Sequence, residues 1–519
     1  MGDSRKGLFQ HISAQDWSGF RKGLEKEGLR VDSEGFIAQT PHPQSLGSAL
    51  THSRITTDYS ESLLELITPV CNSTSELLES LRDTHRFVQS QLGDEVFWSA
   101  SMPCRLDGDP SIPIAEYGTS NSGRLRHVYR QGLAVRYGRM MQSIAGVHYN
   151  FSMPDDFWRR WQALLGDTRS LQDFKSDQYF WLIRNFRRRS WLLMLLFGAS
   201  PALDASFVDG MSHHLERYSD DTWVGETATS LRMGDLGYHN NAQSSLDICF
   251  NELSTFTNTL YRAIHTPWPA YEKLGTRNAD GKFIQINTNV LQIENEYYSA
   301  VRPKRTTCRG EKPIQALESR GVEYIEVRCL DLDPFEPLGI GAEQVDFLDL
   351  FLLDCLLSDS TAIGDDECSR LDGSYKDVVS NGRKDDLNIC FDGAMTPVKD
   401  AASTMLSRLE ALAVQLDGFN GDSSVYQDAL AAQRKALSAD GQVRSSKVLA
   451  SMKASGMGHL EWTLEQSRGH QAALRDDPLS AEMLAEYRKM TEDSLAEQRE
   501  LEAATDQSFE DYLSAYRAD

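Results

Sequence analysis

Val322–Phe335 reads VEYIEVRCLDLDPF. Alternation with a period of two marks it as a strand. Ile325 and Val327 point one way; Tyr324, Glu326 and Arg328 point the other. The apolar face calls for a core. The opposite face sets a carboxylate beside a guanidinium in mid-strand, a pairing that mere exposure to solvent does not require.

The same design recurs. GLEKEGLRV (Gly23–Val31) puts Glu25 and Glu27 on one face, and SLLELITP (Ser62–Pro69) sets Glu65 among apolar neighbours. AGVHYNFSM (Ala145–Met153) aligns His148, Asn150 and Ser152 against Val147, Tyr149, Phe151 and Met153. NVLQIENEYYS (Asn289–Ser299), read as a strand, aligns Gln292, Glu294, Glu296 and Tyr298. One polar strand face normally means solvent. A set so rich in Glu is different, because crowded carboxylates raise one another's pKa and cost stability unless cations intervene. An oxygen-rich, sulfur-poor cluster suits Mg²⁺ or Mn²⁺, and Mg²⁺ usually keeps places for substrate phosphates. Arg328 would then be a fixed cation aimed at a transferring phosphoryl group.

The remaining composition narrows the class. The chain has 519 residues, 40% of them hydrophobic, enough for a large core, and carries a net charge of −23. That field repels nucleic acid and anionic lipid. The start, MGDSRKGLFQ, lacks the apolar segment of a signal peptide. The best apolar run, Trp191–Phe197, is too short for a hydrocarbon core of ~30 Å. Cys71, Cys104, Cys249, Cys308, Cys329, Cys355, Cys368 and Cys390 form no Cys-x-x-Cys pair, which fits reduced thiols in a cytoplasmic protein.

Along the chain, 156–200 reads helical, 203–225 as a polar surface loop, 244–264 as helix, and 283–298 and 321–331 as strands. An apolar helix is expected at 345–357, a loop-rich connection at 358–396, and charged helices over 397–519. The organisation expected is a catalytic region over 1–357, with a helical insertion at about 156–225, and a C-terminal helical region packed on it. GTSNSGRL (Gly118–Leu125) imitates a P-loop but lacks its Lys and Ser/Thr. It reads as a turn that starts a helix bearing Arg124, Arg126, His127, Arg130, Arg136 and Arg139, suited either to surface ion pairs or to anion capture by arginine forks. The loop VRPKRTT brings Arg302, Lys304 and Arg305, read as nucleotide-phosphate ligands or as a solvated loop.

Several long segments, in order from about residue 15 to 357, resemble the glutamate–cysteine ligase family in its proteobacterial form. They include HPQSLGSALTHSRITTDYSESLLELITP, YGTSNSGRLRHVYRQGL, LFGASPA, TSLRMGDLGY, QINTNVLQIENEYYSAVRPKR and GVEYIEVRCLDLDPFEPLG. The resemblance implies an α+β fold, with a glutamine-synthetase-like curved antiparallel sheet surrounded by helices. It implies ATP- and Mg²⁺-dependent joining of L-glutamate to L-cysteine, the first step of glutathione synthesis, with glutathione as inhibitor and a monomeric protein. By position it makes Glu25, Glu27, Asp58, Glu65, His148 and Glu326 metal-site residues and puts Arg328 at the γ-phosphate. It gives Tyr59, Tyr129, Leu133, Gln142, Tyr238 and Tyr298 to the cysteine pocket, and Arg130, Asn150 and Arg232 to substrate binding. Tyr59 stands where the family pattern has Phe. A phosphotransferase, a metallohydrolase or another carboxylate–amine ligase on the same sheet, and a non-catalytic binding or assembly protein, are the competing readings.

Overall fold

The computed structural model describes residues 5–518, apart from 18, 237–245, 247, 249, 309 and 422. Seven strands form its central sheet: β1 (Arg21–Val31), β2 (Ile55–Thr57), β3 (Leu63–Ile67), β4 (Val96–Phe97), β5 (Val147–Ser152), β6 (Val301–Lys304) and β7 (Tyr324–Leu330). Their order is β2-β3-β1-β5-β7-β6, with β4 on the far end of β1, and every pairing is antiparallel. The contacts used below come from helices α1 (Thr74–Gln91), α2 (Asn121–Tyr137), α3 (Ala342–Leu357), α4 (His459–Asp476) and α5 (Phe509–Ala518). The expected mixed architecture, an antiparallel sheet among helices, is what the chain adopts.

The two faces of the sheet divide as the alternation requires. Leu24, Leu64, Leu66, Tyr149, Phe151, Ile325 and Val327 are fully buried on the back. Helix α3 covers them and is itself buried from Gln344 to Leu357. A helix apolar all round belongs in a core, yet α3 carries three aspartates, and each has a partner. Lys22 and the Tyr149 hydroxyl meet Asp349, Arg189 and Lys6 meet Asp354, and the Thr74 hydroxyl donates to Asp346. Without those partners each buried charge would be strongly destabilising. Lys26, also on the back, lies 3.8 Å from the Phe97 ring centroid, and burial pushes its pKa down to about 7.

The C-terminal helices pack on this body. Ser467 on α4 bonds Ser99 (3.0 Å), and Gln471 donates to the Glu95 carbonyl (2.8 Å). From α5, Arg517 Nε donates to the Ile286 carbonyl (2.7 Å), while Phe509 stacks edge-on against Phe283.

Of the expected elements, 156–200 is helical as read though subdivided, 244–264 is helical among the described residues only from Leu253 (Leu253–His265), and three others differ. The helical run 156–200 breaks into Asp155–Leu165, Leu171–Arg189 and Trp191–Phe197, the first closed by Gly166 in the left-handed region at φ 66°. Residues 203–225 hold most of a small sheet (Ala202–Asp204, Glu216–Arg217, Thr222–Val224) instead of an irregular loop. The stretch 283–298 is not a strand. Asn287 Oδ1 accepts the Asn289 amide and Ile293 O the Glu296 amide, so local bonds curl the chain into a 3₁₀ turn at Glu294–Glu296. Within 358–396, read as loop-rich, lie a helix (Asp365–Asn381) and a hairpin (Asn388–Phe391 with Ala394–Pro397). Asp365, Asp366 and Glu367 favour the helix's N-terminal dipole, and buried Leu371, Ser374 and Val378 supply its inward face. Its many Asp and Ser residues mask that spacing.

Candidate active site

Strand register assembles the acidic face. Glu27 stands opposite Glu65, Glu25 opposite His148, and Glu326 opposite both Asn150 and Arg302. Residues from four strands thus converge although 301 positions separate Glu25 from Glu326 (326 − 25). His148 is the centre. Its Nδ1 lies 3.3 Å from Glu25 Oε2, and its Nε2 3.7 Å from Glu27 Oε1. Asn150 Nδ2 donates to Glu25 Oε1 (2.9 Å), and the Gly146 amide to Glu27 Oε2 (2.7 Å). Gly146 is needed there, because a Cβ would collide with the Arg232 guanidinium.

The electrostatics split the face. Burial pushes Glu65 well above the usual carboxylate range, and the charges of Glu25, Asp58, Glu27 and Glu326 push it further. Burial also raises Glu27, more than His148 lowers it. Glu326 behaves oppositely. Burial works against its charge, but Lys304, Arg328, His148 and Arg302 together hold it well below the usual range. Arg328 Nη1 lies 3.0 Å from Glu326 Oε2, and Lys304 Nζ 3.3 Å from Glu326 Oε1. The acid and base of the opening strand are therefore a bonded pair, with Arg328 Nε enclosed and lacking a hydrogen-bond partner among the described residues.

Glu25, Glu65 and His148 offer ligand atoms within 4.8 Å of one another. Asn150 Oδ1 is enclosed with no partner among the described residues. Two carboxylates, one imidazole, a raised Glu65 and an idle amide oxygen fit a hard divalent cation.

A cavity of about 130 Å³ opens beside Glu27 and His148. Its walls include the expected Asp58, Tyr59, Tyr129, Arg130, Leu133, Gln142, Tyr298 and Arg328. A second cavity, of about 290 Å³, shares Asn295 and Arg302 with it and is lined by Lys304, Arg305, Tyr324 and Phe256. Arg302 spans the boundary, donating to the Asn295 (3.0 Å) and Tyr297 carbonyls, and burial lowers its pKa to about 10. Arg305 donates to the Arg320 carbonyl (2.9 Å).

Some expected residues fall elsewhere. Arg232 does not line the cavity. It is buried, with Nη2 on the Arg328 carbonyl (2.9 Å) and Nη1 3.9 Å from Asp331, so it braces β7. Tyr238 lies outside the described residues. With the 3₁₀ turn in place of a strand, neither Glu294 nor Glu296 joins the acidic face. Glu296 meets Arg136 (3.0 Å), and Glu294 lines the second cavity. Tyr137, Met141, Asn295 and Glu296 also line the first cavity, beyond the residues expected there. Tyr137 carries a signal in the chain, since Tyr129, Leu133 and Tyr137 repeat every four residues on α2. Asn295, in a turn, carries none.

The description "Glutamate-cysteine ligase" belongs to the family profile that matches residues 6–378. The chain belongs to the glutamate–cysteine ligase family. It is 54% identical over 500 residues to the glutamate–cysteine ligase of Hahella chejuensis, covering 95% of each chain. It is 51% identical to that of Pseudomonas putida strain W619, covering 96% of this chain and 94% of the relative. The crystal structure of the Francisella tularensis glutamate–cysteine ligase in complex with AMP superposes with a TM-score of 0.90 at 36% identity, covering 96% and 98% of the two chains. A bifunctional glutathione synthetase from Pasteurella multocida shares the fold, at a TM-score of 0.72 and 24% identity, over 91% of this chain and 55% of that one. Among the described residues, no helix is long and apolar enough to cross a membrane.

Proposed function

We propose that this member of the ligase family joins the γ-carboxyl of L-glutamate to the amine of L-cysteine at the expense of ATP, the first step of glutathione synthesis. The observation that carries the reading is the Glu326–Arg328 pair, set between an acidic face and two adjoining cavities.

A free carboxylate resists attack by an amine, because an oxide-type leaving group is poor. Phosphorylation solves this. A γ-carboxylate oxygen of glutamate attacks the γ-phosphorus of ATP and ADP leaves with the electrons of the broken P–O bond. The cysteine amine then attacks the carbonyl carbon of γ-glutamyl phosphate, and phosphate leaves with the C–O electrons. No enzyme nucleophile is required. The chain's task is to hold two anions together and to stabilise moving charge. Arg328, fixed by Glu326 on the wall of the first cavity, is the cation that stabilises the transferring phosphoryl group. The second cavity, with Lys304 and Arg305, takes the nucleotide, in keeping with the AMP complex of the Francisella relative. The first cavity, with Tyr59, Tyr129, Leu133, Gln142 and Tyr298, takes cysteine, while Arg130 faces its carboxylate. Glu25, Glu27, Asp58, Glu65, His148 and Glu326 would hold Mg²⁺ or Mn²⁺, which when bound neutralises the repulsion between triphosphate and carboxylate. Arg232 and Asn150 serve from behind, one bracing β7 and the other orienting Glu25.

The chemistry falls within residues 1–357, and the helices of 397–519 brace it. Family resemblance supports inhibition by glutathione, which contains the γ-glutamylcysteine unit, and a monomeric, cytoplasmic enzyme. The deciding experiment is phosphate release from Mg·ATP and glutamate, with cysteine, with 2-aminobutyrate, and with neither. Amine-dependent release with a γ-glutamyl dipeptide by mass spectrometry is expected. Release with glutamate alone would indicate a phosphotransferase, and release with ATP alone a hydrolase.

A further inference from the structure

The wall of the first cavity is built from two pieces of chain that have no strand pairing to align them. Helix α2 brings Tyr129 and Leu133, and the segment 285–298 brings Asn295 and Tyr298. Between them lies a buried ion pair: the side chains of Arg136 and Glu296 are 0% and 1% exposed, with Nη1 and Oε1 3.0 Å apart. The Tyr137 hydroxyl donates to the same Oε1, and the Gln292 amide donates to Oε2 (2.5 Å). Arg136 is used further: Nε donates to Gln285 Oε1 (2.9 Å) and Nη2 to the Asn287 carbonyl (2.7 Å). Gln292 completes the connection. Its Nε2 donates to the Tyr129 carbonyl (3.1 Å), and its Oε1 accepts the Ile286 amide (2.9 Å). Gly132 makes room, since a Cβ there would collide with the Gln292 side-chain amide.

We propose that Arg136 and Gln292 are positioning residues which, through Glu296 and Tyr137 of the cavity lining, set the distance between helix α2 and segment 285–298 across the amine-substrate cavity and so govern capture of cysteine. The inference rests on assigning that cavity to cysteine. Helix α2 and the segment are separate pieces that meet here, so the width of the cavity follows the ion pair. The acidic face stands on strands that the sheet aligns independently. The second cavity takes Glu294, Asn295 and Tyr297 from the same segment, but has the rest of its lining from β6 and the loop after it, Tyr324 of β7, Phe256, Leu260 and residues 313–317. A defect in the latch should therefore fall most heavily on the amine substrate.

Removing one charge would leave its partner buried and unpaired, which destabilises strongly. The test variant is therefore the double change Arg136→Leu with Glu296→Leu, accompanied by the conservative Tyr137→Phe. Full-length protein is assayed for KM of cysteine, glutamate and ATP separately, and for thermal unfolding. The double variant is expected to lose on the order of 10²-fold in kcat/KM for cysteine, as a displacement near 1 Å does elsewhere, with KM for ATP and glutamate within about twofold of wild type. Tyr137→Phe should move in the same direction, less far, at unchanged melting temperature. An unchanged KM for cysteine in both variants overturns the proposal. So does a uniform rise of all three KM values that tracks a fall in melting temperature, which would make the cluster structural only. A wild-type protein whose phosphate release ignores cysteine overturns the functional reading itself, and the latch with it.

Discussion

Two walls enclose the site, and they are held by different physics. The acidic face belongs to a sheet: backbone pairing across β3, β1, β5 and β7 puts Glu65, Glu27, Glu25, His148 and Glu326 in register whatever their side chains do. The opposite wall, helix α2 with segment 285–298, has no such ladder and depends on the Arg136–Glu296 pair and on Gln292. The first wall can therefore concentrate like charge, which side chains alone would resist. The second can be tuned or broken by one substitution far from the phosphoryl group.

Changes on the sheet side should damage chemistry and leave the fold intact. Arg328→Ala should have the largest effect, on the order of 10³ in turnover, as for loss of a phosphoryl-stabilising cation. Circular dichroism should remain that of the wild type, and an unfolded variant would sink the comparison. Asn150→Ala should come next. Its amide orients Glu25, and loss of such a support typically costs 10–100-fold in metal affinity. Titration with Mn²⁺ followed by electron paramagnetic resonance measures this, and unchanged affinity would remove the cation from that part of the face.

Gly132→Ala probes the other wall. Intruding on Gln292 should cost about 1–3 kcal/mol, in the range of overpacking elsewhere, and should raise KM for cysteine above that for ATP. Equal changes for both substrates would erase the distinction between the walls.

Acidity tests the crowding directly. The Glu65 carboxyl is raised in the folded protein by burial and by four neighbouring carboxylates. A raised folded pKa contributes stability that is complete below the unfolded value of about 4.3 and is lost as pH rises through the folded value. Metal-free wild type should thus lose stability relative to Glu65→Gln as pH climbs above about 4.3, and added Mg²⁺ should abolish the difference. Parallel melting temperatures for the two proteins across that range would contradict it.

The smallest effect on activity belongs to the back of the sheet. Lys26, lowered to about 7 by burial, opposes folding while charged. That penalty is full below about pH 7 and fades as pH rises toward the unfolded value of about 10.4. Lys26→Met should raise the melting temperature most below about pH 7, with turnover unchanged. A drop in turnover would mean that the two faces are less independent than their packing implies.

The contrast between the walls also explains which features are legible in the linear chain. The strands at Glu25, Glu65, His148 and Glu326 are legible, because a period of two survives in any environment and both their faces are marked. Segment 283–298 misleads for the same reason: Gln292, Glu294, Glu296 and Tyr298 alternate correctly, yet the Asn287 side chain bonds the local backbone on both sides of its amide and the chain curls. The helix at 365–381 is hidden by its Asp and Ser content, since a few buried positions carry the pattern alone. Resemblance assigns Arg232 to the substrate, and tertiary packing puts its guanidinium on the Arg328 carbonyl.

Sequence by itself determined the family, the strands that carry the chemistry, and which of their faces is polar, because these follow from local alternation and collinear segments. Tertiary structure alone decided which carboxylate is raised and which is lowered, since that depends on whether a cation such as Lys304 or another carboxylate lies alongside. It alone decided that Glu296 binds an arginine of α2 and not the acidic face. A charge pair spanning 160 residues (296 − 136) leaves no periodic trace in the chain.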